Sequence, residues 1–231
     1  MNSRLSFPQK ALLGALAAVS LVTTWSAVRA GWHDFLLMKP RAVVDSWRKG
    51  AQPGMKLWGL TQQQLKQAQA RNPDDPQVEE SLGYLYALQA MRSRDIPELK
   101  QALLAESIGH FRSATRLRPM SPYAWSNLAL ALHENGEVSE EMWAAFDRAM
   151  RYGQREIAVQ KQLAEIAFAR WSEVGDARQA QMREIVAKVG EDYREALLEI
   201  VERNKVEGLM AEPLPEAVGE NASENASTEP K

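Results

Sequence analysis

The chain has 231 residues, 45% of them hydrophobic and 25% charged, ordinary proportions for a protein that buries a core. A formal net charge of -2 leaves no global basic footprint for nucleic acid, and a mean hydropathy of -0.40 excludes a bundle of many membrane spans. With no cysteine in the sequence, disulfides, thiolate catalysis, cysteine-ligated zinc and iron–sulfur clusters are excluded too.

Residues 1–31 are predicted to form a transmembrane or signal-anchor segment. Ala11 to Val28 carries no charge over 18 positions, about the lower limit for crossing 30 Å of hydrocarbon. Two readings compete. A secretory signal would use Arg4 and Lys10 as its charged region, Ala11–Val22 as its apolar region and Val28-Arg29-Ala30 as a cleavage site. An uncleaved anchor would run on to Val28 and set Trp25 and Trp32 at one interface, where Trp is favoured. The anchor is the expected form, because a short tail before a single apolar run resembles a signal anchor. The basic residues pull in both directions: Arg4 and Lys10 favour an N-terminus in the cytoplasm, whereas Arg29, Lys39, Arg41 and Arg48 oppose it. Long domains translocate largely regardless of charge, so the domain that follows is expected outside the cytoplasm.

Residues 32–75 are expected to hold membrane-proximal helices and a partial repeat unit, marked by Leu65, Ala68 and Pro73. Residues 76–207 read as helical throughout. Leu82, Leu85, Tyr86 and Leu88 follow the spacing of a buried helix face, as do Trp125, Leu128, Ala129 and Leu132. Asp75-Pro76 and Ser121-Pro122 each set an N-cap side chain before a proline at the first helical position. Asp95-Ile-Pro97 looks like an inserted turn. Asp176 and Gln179 are spaced as a capping box for a helix to about Lys188. A last helix, Glu191 to about Glu207, would turn Tyr193, Leu197, Leu198 and Val201 to one face and cap the domain. Residues 208–231 hold five Glu, one Lys and three Pro and are expected to be a disordered acidic tail. Asn221-Ala-Ser and Asn225-Ala-Ser in it read as chance glycosylation sequons.

Trp125-x2-Leu128-Ala129-x2-Leu132, the turn at Gly136, and Phe146 with Ala149 resemble the tetratricopeptide repeat. Leu82-Gly83-x2-Tyr86, followed by Ser107-x3-Phe111, Ala114 and Pro119, resembles another unit lengthened by about a dozen residues. Leu163-Ala164-x2-Ala167 resembles the start of a third. Ala129 replaces the usual Gly, and Glu79 stands where an aromatic is usual. The resemblance covers roughly Pro40 to Lys188. It implies an all-α, right-handed array of helical hairpins in which each hairpin stays dry only against its neighbours. Small residues at Gly83, Ala129 and Ala164 would let helices approach, and Tyr86, Phe111, Leu132 and Phe146 would fill the gaps.

No catalytic constellation is legible, and no cofactor, metal site or enzymatic activity is expected. His110 is expected at a helix surface, His133 at a helix C-terminus favoured by the dipole, and His33 without a spaced partner. The acidic pairs Asp74/Asp75, Glu79/Glu80 and Glu140/Glu141 read as caps and solvated surface. What remains is binding. In stacked hairpins the first helix of each unit lines the concave face, so Gln77, Glu80, Tyr84, Leu88, Tyr123, Asn127, Leu130, His133 and Lys161 are the candidate partner-binding groove. Glu80 and Tyr84 stand where a carboxylate clamp would need basic and Asn residues, so a clamp is not expected.

Arg118-Pro119-Met-Ser-Pro122-Tyr-Ala-Trp125-Ser-Asn127, Ala149-Met-Arg-Tyr-Gly153 and Asp45-Ser-Trp47, together with the apolar N-terminal segment, resemble the VpsP-type family of exopolysaccharide biosynthesis proteins. That resemblance implies a non-catalytic scaffold of the bacterial inner membrane. It would be single-pass, with a periplasmic domain that binds a protein subunit of an envelope polysaccharide synthesis and export machinery. The alternatives are an adaptor for pilus, secretion or cytochrome assembly, and a protein that binds or cleaves the glycan itself.

Overall fold

The computed structural model describes residues 7–52, 54–188 and 190–206, except for the side chains at 30, 191 and 192. The tail at 208–231 and its two sequons lie outside the described residues. Within them the protein is all-helical and no strand occurs. The helices are α1 (Phe7–Arg48), α2 (Met55–Arg71), α3 (Pro76–Arg92), α4 (Pro97–Leu117), α5 (Pro122–Glu134), α6 (Glu140–Tyr152), α7 (Ile157–Ala169), α8 (Asp176–Lys188) and α9 (Glu191–Arg203). Contacts divide the chain into two compact units, one ending at Leu117 and the other beginning at Arg118. The stretch 76–207 is therefore shared: α3 and α4 belong with α1 and α2, and α5–α9 form the second unit.

The first helix, α1, is 42 residues long, roughly 63 Å at 1.5 Å per residue. It has two characters. Its apolar window is long enough to cross a membrane and has no part buried against protein. Leu12, Leu16, Val19, Val22 and Trp25 are all exposed. From Leu37 onward one face turns inward, through Leu37, Pro40, Val44 and Trp47, at the three- and four-residue steps of an amphipathic helix. Position 31 falls inside this helix without a break, and Pro40 does not end it.

In the first unit Leu37, Val44 and Trp47 of α1 close on Leu65 and Ala68 of α2 and on Val78, Leu82, Leu85 and Tyr86 of α3. The Trp58 indole N–H donates to the Leu85 carbonyl at 3.2 Å, giving a half-buried donor its partner. Helices α3 and α4 then form a tight hairpin. A Cβ on Gly83 would lie 2.7 Å from two carbons of the Phe111 ring, so only glycine fits there. The Ser107 hydroxyl donates to the Gly83 carbonyl at 2.8 Å. The turn expected around Asp95–Pro97 is present: residues 93–95 turn between α3 and α4, closed by the Ile96 N–H donating to the Ser93 carbonyl at 3.0 Å. The surplus lengthens α4 to 21 residues.

In the second unit Leu128 and Leu132 of α5 and Met142 and Phe146 of α6 are at most 1% exposed, as are Leu163 and Ala164 of α7. Helix α5 contacts both α6 and α7, and α7 contacts α8 and α9. Gly153, after α6, is fixed by space: a Cβ there would meet Val159 Cγ1 at 2.8 Å and Pro122 Cβ at 2.9 Å. On α9, Leu197, Ile200 and Val201 face inward while Tyr193 is exposed, so the buried face is rotated from the one expected.

The capping expectations divide. The Asp75 carboxylate accepts from the backbone N–H groups of Gln77 and Val78, and the Ser121 hydroxyl from that of Ala124. The capping box at Asp176 and Gln179 does not form. Gly175, at φ +81°, precedes α8, Asp176 is already helical, and the Gln179 side chain donates to the Trp171 carbonyl at 2.7 Å. The left-handed turn that only glycine adopts cheaply replaces the side-chain cap.

Candidate functional site

The nine groove candidates separate into two sets. Gln77, Glu80, Tyr84 and Leu88 lie on α3 in the first unit. Tyr123, Asn127, Leu130 and His133 on α5, and Lys161 on α7, lie in the second.

On α3, Gln77 is exposed and the other three are half-buried. Tyr84 and Leu88 pack against the core shared with α1 and α2. The Arg48 guanidinium sits over the Tyr84 ring, 5.1 Å from its centroid. Burial pushes the Tyr84 phenol up from its ordinary range, partly opposed by Arg48. The end of α1 thus lies over part of this face.

On α5 one candidate is exposed and three are half-buried, as on α3, but hydrogen bonds to the neighbouring helix organise them. Tyr123 is 42% exposed. Its hydroxyl donates to the Glu156 carboxylate, and this bond pushes the phenol pKa up. Gln162 of α7 uses both ends of its amide: its carbonyl accepts from the Ser126 hydroxyl at 2.6 Å and its NH2 donates to Asn127 Oδ1 at 2.9 Å. These bonds fix the register of α5 against α7 and hold Tyr123, Asn127 and the neighbouring Lys161 on adjoining helices. Leu130 and His133 continue the α5 face and are half-buried. His133 departs from expectation. Burial foremost, with Arg170 adding to it, pushes its pKa down from 6.5, so it is neutral at pH 7. Its Nδ1 is buried without a hydrogen-bond partner.

The other two histidines also differ from expectation. His33 does have a partner, Asp75, at 3.0 Å. Arg41 joins the same Asp75 oxygen at 3.4 Å and reaches Asp34 at 3.3 Å. The carboxylate that caps α3 therefore also ties α1 to it. His110 is not at the surface: its Nδ1 meets Glu79 at 2.7 Å and its ring stacks on Tyr86, 5.5 Å between centroids. Glu79 is itself buried and accepts from Gln69 Nε2 at 2.7 Å. Both of its oxygens are engaged, linking α2, α3 and α4. This explains how an acid occupies a position where an aromatic was expected.

Glu156 and Gln162 were not singled out from the sequence, and the register of α7 against α5 that makes them neighbours of the candidates is not encoded locally. Three Arg-on-Trp stacks were equally invisible: Arg148 over Trp125 at 4.5 Å, Arg178 over Trp143 at 4.8 Å and Arg183 over Trp171 at 5.4 Å. Among the described residues no group of three or more His, Asp or Glu side chains is gathered as a metal site would need. Comparison of the chain with protein-family models, with curated proteins and with solved structures finds no match to any of them.

Proposed function

We propose that the protein is a non-catalytic, membrane-anchored scaffold of the tetratricopeptide type, which holds a partner protein against the face formed by α5 and α7. The observation that carries the reading is the packing of α5. It contacts its own hairpin partner α6 and also the next first helix, α7, and Gln162 locks that second contact. Arrays of helical hairpins bury their faces in this way and leave the first helices to line a binding surface. On that surface Tyr123 and Lys161 are exposed, with Asn127 beside them. An aromatic, an amide and a cation suit an extended or helical peptide. The exposed apolar half of α1 supplies the anchor. The envelope polysaccharide setting and the inner membrane come from the resemblance carried by residues 118–153, by Asp45-Ser-Trp47 and by the apolar N-terminal segment, and the periplasmic side also from the signal-anchor form of that segment.

Tyr123→Ala combined with Lys161→Ala, both on exposed positions of that face, is the direct test. We expect the helical signal to persist and partner capture from native membranes to fall about tenfold, the loss typical of a truncated aromatic anchor. Unchanged capture by a folded variant would end the groove proposal. Saturable binding of the polymer by the purified protein, or shortening of its chains, would replace the scaffold reading with a glycan-directed one.

A further inference from the structure

We infer that the first unit carries a binding site for the headgroup of an anionic phospholipid, in the cleft where α1 leaves its apolar stretch and meets the α2–α3 turn. The inference rests on the membrane-spanning reading of α1. The cleft measures about 650 Å³, and its walls come from α1 and from the turn that carries Arg71 and Asp75.

Trp25, Arg29, Trp32 and Leu36 of α1 line the cleft, and their three- and four-residue steps place them on one helix face. Arg29 is the first charged residue after the 18-residue apolar run, so a bilayer around that run would set it at headgroup depth. Trp25 and Trp32 flank it, each more than 60% exposed, where indoles favour the membrane interface. Arg71 approaches the same space from the end of α2.

The charges in the cleft are unequal. Its two carboxylates share one guanidinium: Arg41 reaches both Asp75 and Asp34, and Asp75 also meets the His33 ring. Arg29 and Arg71 have no ion pair among the described residues. Two guanidiniums without an ion-pair partner suit the phosphate oxygens of a lipid, which planar fork donors grip in pairs. With Arg29, Arg71 and Arg41 set against Asp34 and Asp75, the cleft keeps a net charge of +1, which favours an anionic headgroup over a zwitterionic one. The acyl chains would run back along the exposed apolar side of α1.

The test uses the full chain reconstituted into nanodiscs of phosphatidylcholine with and without one-quarter phosphatidylglycerol, followed by native mass spectrometry of the lipid kept on the protein. We expect phosphatidylglycerol to be retained preferentially. Arg29→Gln with Arg71→Gln should cut that retention about tenfold, in line with the contribution of two basic side chains at a membrane surface. Lys39→Gln with Lys49→Gln removes the same charge outside the cleft and should leave retention unchanged. Arg29→Lys with Arg71→Lys should restore part of it. Equal retention in the two Arg→Gln and Lys→Gln variants would overturn the site while leaving the anchor intact. Displacement of the lipid by an equal concentration of inorganic phosphate would overturn the lipid assignment. Failure of the wild-type chain to enter nanodiscs of either composition would instead refute the anchor.

Discussion

Asp75 does three things with one carboxylate: it caps α3, accepts from the His33 ring and pairs with Arg41. Asp75→Ala removes all three and should cost about 2–3 kcal/mol in urea unfolding, the sum of a lost cap and an uncompensated charged hydrogen bond. Asp75→Asn keeps the cap and should cost about half of that. The cap was legible in the sequence because its donors are two and three residues away. The pairing with His33 spans 42 residues and left no local trace. His133 carries a pH dependence with a definite sign. Its folded-state pKa lies below 6.5, so the unfolded chain takes up the proton first as the pH falls past that value. The stability linked to neutral His133 is therefore full above 6.5 and is lost below it. Between about pH 7.5 and about pH 5.5, the urea midpoint of the wild type should fall further than that of His133→Gln. A parallel fall would mean that His133 is solvated in the folded protein.

At the scale of elements, the close approach of α3 to α4 turns on a single missing methyl group. Gly83→Ala would drive a Cβ into the buried Phe111 ring and should destabilise the first unit by about 1–3 kcal/mol. Gly109→Ala, on α4 with nothing within 4 Å of the added carbon, should be neutral or stabilising by up to about 1 kcal/mol. Thermal unfolding of the two variants side by side checks the contrast. Helix identity was readable from spacing in α3 and α5 because each buries one face at regular steps. Helix extent was not. The end of the apolar run at Val28 suggested a boundary near residue 31, yet the inward face begins at Leu37 in the same register, so α1 continues through. Burial of Glu79 was hidden for a related reason: a carboxylate reads as surface until the partner that satisfies it, His110 on α4, is known.

For the whole molecule, the division at Leu117 and Arg118 carries its own expectation. The second unit has a core running from Leu128 through Phe146, Leu163 and Val174 to Met182 and Val201, each at most 1% exposed. Residues 118–206 expressed alone should therefore give a helical spectrum and a single cooperative unfolding transition. A non-cooperative melt would show that this core needs the first unit. The anchor is equally open to test: the intact chain should stay with membranes after alkaline carbonate, and a chain lacking residues 7–28 should be released. The most direct measurement of the central claim is photo-crosslinking in native membranes, from a benzophenone amino acid placed at Tyr123 or at Lys161, with Glu195 on α9 as the exposed control. The account predicts one protein adduct of the same mass from both groove positions and none from the control. No adduct from either groove position, or the same adducts from all three, would contradict it.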